Sequence, residues 1–435
     1  MSEKKLNPTR RKFIKTTGAT MLGATVGFNV MGKSMPRNFN ADTLKVGLIG
    51  CGGRGTGAAN QALNADSNTV LVAMADIFED RLKDSLTALK GEQPPEKLAI
   101  DEDHKFIGFD AYQRLLESDV DVVLLATPPS FRPAHLEAAL AAGKHVFCEK
   151  PVAVDAPGIR RVLDVAKGFK EKNLALMSGF CWRFDNPKRE TFQRLNDGAI
   201  GEVLSIYNTY NTGALWYRER QPNWSDKEYK MRNWLYQNWI SGDHIVEQAV
   251  HSLDMMAWAM GDAVPVRAVG TGGRQSRTEE QYGNVFDHFA ITYEYENGAR
   301  GFHFSRQQKG CSRDYGIEVR GAKGRCKVDV WNKHQILHDG KEWNYKGDTN
   351  DMYQAEHDEL FASIRKGEPY NDGERMANST MLAIIGRMVA YTGETLTWEE
   401  ALNSEQILGP GVDDYSWDMG FPEIPVAQPG ITKFS

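Results

Sequence analysis

Residues 44–49 form a short apolar run, and Gly50-Cys51-Gly52-Gly53-Arg54-Gly55 follows at once, leading into a helix-compatible stretch through Leu63. A second apolar run over 69–75 ends in Asp76, which lies 21 residues after Gly55. Strand, glycine turn, helix, strand and terminal acid is the order a dinucleotide site needs. Gly50 permits the tight turn, Gly52 and Gly53 keep the backbone bare beside a pyrophosphate, and Gly55 lets helix and strand approach closely. The helix N-terminus, with Arg54 in its first turn, favours negative phosphates. Asp76 would accept hydrogen bonds from the adenosine ribose, and with no arginine immediately after it to meet a 2′-phosphate the cofactor expected is NAD rather than NADP.

The pattern continues with a buried strand over 121–127, a Pro128-Pro129 breaker, a helix over 131–142 and a strand over 145–148. Alternating strands and helices predict a parallel, Rossmann-type sheet with ligands at the strands' carboxyl ends. Thr127, Pro128, His135, Glu149 and Lys150 fall at or near those ends and join the glycine turn and Asp76 as cofactor-contact candidates. From about Ala175 the texture changes to alternating strands joined by tight turns at Asn297-Gly298, Gly321-Ala322-Lys323-Gly324 and Asp339-Gly340. These predict an open, mainly antiparallel sheet, with helices over 353–365 and 378–392. The expected fold class is α/β: a Rossmann domain over 41–170, an α+β domain over 171–402, and an extended tail over 403–435.

With 435 residues, two or three domains are expected. Residues 1–40 hold eight basic side chains and one acidic one, so the rest of the chain carries a net charge of −13. That balance argues against nucleic acid as a partner. Arg10-Arg11-Lys12-Phe13-Ile14-Lys15 precedes a weakly apolar stretch over 16–30 and resembles a twin-arginine export signal, which places the protein in the periplasm, anchored if the segment is retained. No later apolar run reaches the ~20 residues needed to span a bilayer. The five cysteines include no Cys-x-x-Cys, so neither a resident metal nor a redox pair is expected.

Glu247 and His251 are four apart in a stretch with helical apolar spacing, so a helix over 241–254 would put them on one face. An imidazole suits proton removal from a sugar hydroxyl near neutral pH, and a nearby carboxylate can orient it. A packed histidine and a metal site on His244, Glu247 and His251 are the competing readings. Between the halves Trp216, Tyr217, Trp224, Tyr229, Trp234, Tyr236 and Trp239 crowd a segment with Arg218, Arg220 and Arg232. Such a segment suits either a sugar platform or a packed loop.

Taken with GCGGRG at 50–55, the motifs ATPP at 126–129, AGKHVFCEKP at 142–151, GFCWRFDNP at 179–187 and EHDELFASIRKGEP at 356–369 make the chain resemble the glucose-fructose oxidoreductase / inositol dehydrogenase / MocA family. The resemblance covers nearly everything after residue 43. It implies that Lys150 of the Glu-Lys-Pro motif and His251 flank nicotinamide and substrate, His251 removing a hydroxyl proton while hydride leaves the same carbon. Glu247 stands where the family often has Asp. Arg183, Asp243 and Trp234 are added as substrate-contact candidates. Homo-oligomers, dimers or tetramers, are expected. Together with export, the resemblance implies a glycoside or sugar dehydrogenase with tightly held NAD, acting at C3. An NAD-dependent glycosidase and a non-catalytic sugar sensor are the alternatives.

Overall fold

Six strands lie side by side in the first half: β1 (Leu44–Ile49), β2 (Thr69–Asp76), β3 (Lys105–Ile107), β4 (Val122–Leu125), β5 (His145–Cys148) and β6 (Leu176–Ser178). All pairs are parallel, in the order β3-β2-β1-β4-β5-β6. The structure is a computed structural model describing residues 42–434, so the twin-arginine segment expected over 1–40 lies outside the described residues. Central strands read as unbroken apolar runs because helices cover both faces; all four residues of β4 and all four of β5 are buried.

The strand order reverses between β1 and β4, which opens a crevice at their carboxyl ends. The sixth strand extends this domain beyond the boundary expected at residue 170. The helix Met352–Lys366 returns from the second half and adds Leu360, Phe361 and Ile364 to the core under β1 and β2.

The second sheet has nine strands: β7 (Val203–Thr212), β8 (Arg267–Gly273), β9 (His288–Glu294), β10 (Arg300–Gln307), β11 (Asp314–Gly321), β12 (Gly324–Asp329), β13 (Lys333–His338), β14 (Lys341–Asn344) and β15 (Leu396–Thr397). Their order is β14-β13-β12-β11-β7-β10-β9-β8-β15, antiparallel throughout except for the central β7–β10 pair. The expected hairpins form at their turns, with Gly298 at φ +83° and the Asp339-Gly340 pair at φ 48° and 72°. Strand β9 alternates buried and half-buried positions strictly, so one face packs inward.

The inward face meets the helix Gly373–Thr392, which is buried along almost its whole length because it is wedged between β8, β9 and the first domain's helix Ala156–Glu171. Residues 403–434 carry no strand and run along the surface. Among the described residues no helix is long and apolar enough to cross a membrane.

Candidate active site

A cavity of about 790 Å³ opens at the strand-order reversal, lined by the glycine turn, Asp76, the Glu149-Lys150 pair, Glu247 and His251. Gly50 has φ +97°, and a Cβ there would come within 2.7 Å of the Thr127 backbone nitrogen. A Cβ on Gly55 would lie 1.9 Å from the Gly50 carbonyl oxygen, so only glycine lets the helix Gly53–Ala65 start this close to β1. Gly52 and Gly53 have nothing within 4 Å of a built Cβ, which leaves room for a group laid against their backbone. The cradle therefore fits a pyrophosphate.

Asp76 Oδ2 accepts from the Cys51 N–H at 2.7 Å and Oδ1 from the Phe78 N–H at 2.9 Å, which fixes the carboxyl group at the end of β2. Burial raises its pKa against these two bonds. Thr127, Pro128 and His135 line the same cavity, with His135 Nδ1 3.2 Å from Thr127 Oγ1 and its ring stacked on Tyr112. Burial lowers the His135 pKa to about 3, so it is neutral there. Arg54 lines the cavity but spends its Nε on Glu149 and lies 3.6 Å from Glu356, with its plane over Tyr353.

The chemistry-bearing end departs from the expected single helix. His244–Glu247 forms one short turn, the backbone breaks at Gln248, and a new helix runs over Val250–Ala259. In a continuous helix the Glu247 carbonyl would accept from the His251 N–H; instead that N–H points to the Gln248 oxygen at 3.4 Å. The freed Glu247 carbonyl accepts from Lys150 Nζ at 2.7 Å, and the Glu247 carboxylate stands 3.9 Å from the same ammonium. Lys150 is thus held by Glu247. Glu149 turns to Arg54, and Asp155 caps the helix Ala156–Glu171 through Gly158 N at 2.8 Å.

His251 stacks on Trp182 at 5.0 Å between ring centres and is 9% exposed. Its Nδ1 is buried without a partner among the described residues. Burial first, then the Lys150 charge, holds its pKa well below 6.5, leaving a neutral imidazole able to accept a proton. His244 is turned to Phe286 and Phe289 and does not line the cavity, so the three-ligand arrangement with Glu247 and His251 is not formed.

Two expected substrate contacts sit elsewhere. Arg183 is buried against Asp254 at 2.9 Å and Asp262 at 2.5 Å, outside the cavity lining. Asp243 is fully buried at φ 72° and accepts from Phe286 N at 2.7 Å and Tyr391 OH at 2.5 Å. Trp234 does line the cavity, as does Trp216, packed edge to face with it at 6.0 Å. The other aromatics of that segment are packed: Trp239 is buried near Tyr415 and Phe421, and Tyr217 pairs with Tyr229. Tyr210, Gln248 and Tyr353 also line the site without a sequence signal.

The segment and the tail meet over the adenosine end. Arg232 binds both carboxylate oxygens of Asp80 at 2.9 and 3.0 Å and lies 4.0 Å above the Phe78 ring. Trp417 packs on Phe78 and Phe109 at 5.8 and 5.0 Å, Tyr415 packs on Phe131 at 4.7 Å, and Lys227 Nζ donates to the Trp417 carbonyl at 2.6 Å. Phe78, Phe109 and Phe131 are cavity walls, so this clasp backs them from outside.

Residues 44–180 match the oxidoreductase family with an NAD-binding Rossmann fold, and residues 189–327 match the GFO/IDH/MocA C-terminal domain. An uncharacterized oxidoreductase of Streptococcus pneumoniae is 30% identical over 52% of this chain and 58% of its own length. Myo-inositol 2-dehydrogenase of Thermotoga maritima is 27% identical over 66% of this chain and 75% of its own. The 2,7-anhydro-N-acetylneuraminate hydratase of Escherichia coli is 26% identical over 51% and 58%. The chain therefore covers less than two thirds of the first and third of these relatives. The aldose-aldose oxidoreductase of Caulobacter crescentus shares the fold, with a TM-score of 0.64 at 21% identity over 82% of this chain and 99% of that one. By both of its halves the chain belongs to the Gfo/Idh/MocA oxidoreductase family, its NAD-binding Rossmann domain carrying the glycine turn and Lys150 and its C-terminal domain carrying His251.

Proposed function

We propose that the protein moves a hydride between a secondary hydroxyl carbon of a sugar or glycoside, at C3, and a tightly held NAD. The observation that carries this reading is the convergence of Lys150, Glu247 and His251 on the cavity that also holds the glycine turn. NAD, when bound, supplies the hydride acceptor or donor. The neutral His251 ring takes the hydroxyl proton as the carbon is oxidised. Lys150, fixed by the Glu247 carbonyl, places a positive charge where the alkoxide develops. Trp216 and Trp234 offer apolar faces to the sugar ring.

Tight retention is supported by the clasp of Arg232 and Trp417 behind the adenosine walls. It suits an exported enzyme, and export through residues 10–15 is part of the proposal; replacing Arg10 and Arg11 by Lys would leave the protein in the cytoplasmic fraction if it is right. Association through the outer face of the nine-stranded sheet, where Tyr207 and Phe304 pack together half exposed, is also proposed, and light scattering after gel filtration would test it.

The deciding experiment is the near-ultraviolet spectrum of protein purified without added cofactor, before and after glycosides are supplied, with product masses. A reduced-nicotinamide band and a product two hydrogens lighter support the dehydrogenase. The hydratase relative favours a second reading, oxidation followed by elimination, hydration and re-reduction, which would release free sugar with no lasting band.

A further inference from the structure

Every second residue of β10 is buried against the helical side of its sheet, and the last of them, Gln307, is 1% exposed. Among the described residues its side chain makes a single hydrogen bond, from Nε2 to Gln248 Oε1 at 2.5 Å, and its own Oε1 is buried without a partner. A half-satisfied buried amide costs stability, and a leucine would fill the same place without that cost. What the amide supplies in return is a fixed orientation for the side chain it holds.

That side chain belongs to the residue at which the helix breaks, and it lines the cavity beside Glu247 and His251. The Gln248 carbonyl oxygen lies 3.4 Å from the His251 nitrogen, so the amide stands at the reacting end. Tyr210, stacked on Trp182 as His251 is, lines the same cavity. With Oε1 engaged by Gln307, the Nε2 of Gln248 is the free end: it makes no hydrogen bond among the described residues, and the residue is half-buried. Lys150 and Glu247 carry charge and are tied to each other. Gln248 adds a neutral donor, suited to a hydroxyl that stays a hydroxyl while its neighbour is oxidised.

We propose that Gln248, positioned by Gln307, binds the hydroxyl on the ring carbon next to the one oxidised, so that the substrate is a sugar with a free hydroxyl there and the deoxy sugar is rejected. Removing that hydroxyl would leave the free end of the amide facing the sugar without an acceptor, and an unpaired polar group discriminates more sharply than a lost apolar contact. Gln307 touches no substrate and acts only through Gln248. The proposal rests on the hydride-transfer reading above.

The test follows the reduced-nicotinamide band in single turnovers of the full-length protein loaded with NAD. The probes are methyl glucoside, methyl galactoside and methyl mannoside, then the 2-deoxy and 4-deoxy analogues of whichever reacts best. One of the two analogues should react at least about 100-fold less efficiently than its parent. Gln248→Ala should shrink that gap to less than about tenfold and leave the discrimination at the other carbon as it was. Gln307→Leu should narrow the same gap part of the way, chiefly by raising the parent sugar concentration needed for half-maximal rate and not by lowering the limiting rate. Each gap compares two sugars on one protein sample, so a folding defect lowers both rates and cancels. Both analogues reacting within about tenfold of the parent would overturn the proposal, as would a gap that survives Gln248→Ala. No band with any of the three parent sugars would instead sink the hydride-transfer reading itself.

Discussion

Whether His251 can take a proton depends on what surrounds its ring. Burial and the Lys150 charge both disfavour the imidazolium, so the base form persists below the ordinary histidine value of about 6.5. Because only the neutral ring accepts a proton, kcat/KM for sugar oxidation should stay level as the pH drops through 6.5 and fall only well below it; a pH–rate profile checks this. Replacing Lys150 by Met removes one of the two causes, so the His251 ring signal, followed by NMR, should titrate at higher pH than in the wild type. His251→Asn should lower kcat by about 10²- to 10⁴-fold with NAD affinity little changed, and a variant retaining turnover would end the proton-transfer assignment. Gly55 carries a steric demand of another kind. Its missing Cβ is what keeps the Gly50 carbonyl in place, so Gly55→Ala should cost about 1–3 kcal/mol in urea unfolding and weaken NAD binding with it.

At the scale of elements, the interruption at Gln248 and the clasp over Phe78 do what the residues alone could not. The break frees the Glu247 carbonyl for Lys150, tying the end of β5 to the short turn His244–Glu247 that precedes the helix Val250–Ala259. The clasp joins three stretches distant in sequence, and Arg232→Ala removes its best-paired side chain. Displacement of NADH fluorescence should then show cofactor release at least about tenfold faster, since two charge-assisted bonds to Asp80 are lost. An unchanged release rate would mean the clasp plays no part in retention.

The glycine turn was legible beforehand because its constraints are local: Gly50 and Gly55 answer to backbone atoms a few residues away or on the adjacent strand. The hairpins were legible for the same reason. Residues 244–254 carry helical spacing throughout, so the break was invisible; tertiary contacts overrode propensity there. Arg183 and Asp243 were misplaced because a sequence shows a charge but not its partner. Asp254 and Asp262 lie far along the chain from Arg183, and Tyr391 as far from Asp243.

The whole molecule buries six of its ten histidines. His135, His145 and His303 are at most 5% exposed, with pKa values lowered by burial to about 3, 4 and 3, and His251 and His357 are also held well below 6.5. Each is neutral in the folded chain and free to protonate near pH 6.5 once unfolded. Their contribution is complete above that pH and is lost as the pH falls toward the folded values, at up to about 1.4 kcal/mol per residue per pH unit. Glu356, Asp76 and Asp372, raised by burial, run the other way, gaining as the pH falls. The five histidines outnumber them, so the urea midpoint should drop between pH 7 and pH 5; a flat profile would contradict the buried neutral rings.

The clasp also imposes an order of events during synthesis. Tyr415 and Trp417, which back the adenosine walls, leave the ribosome more than 330 residues after Gly50 and Asp76, which belong to the cradle itself. A nascent Rossmann domain can bind a nucleotide and let it go, but the door closes only once residues 415–417 have been made and packed in place. Under the tight retention proposed above, the nucleotide present at that moment is the one each copy would carry.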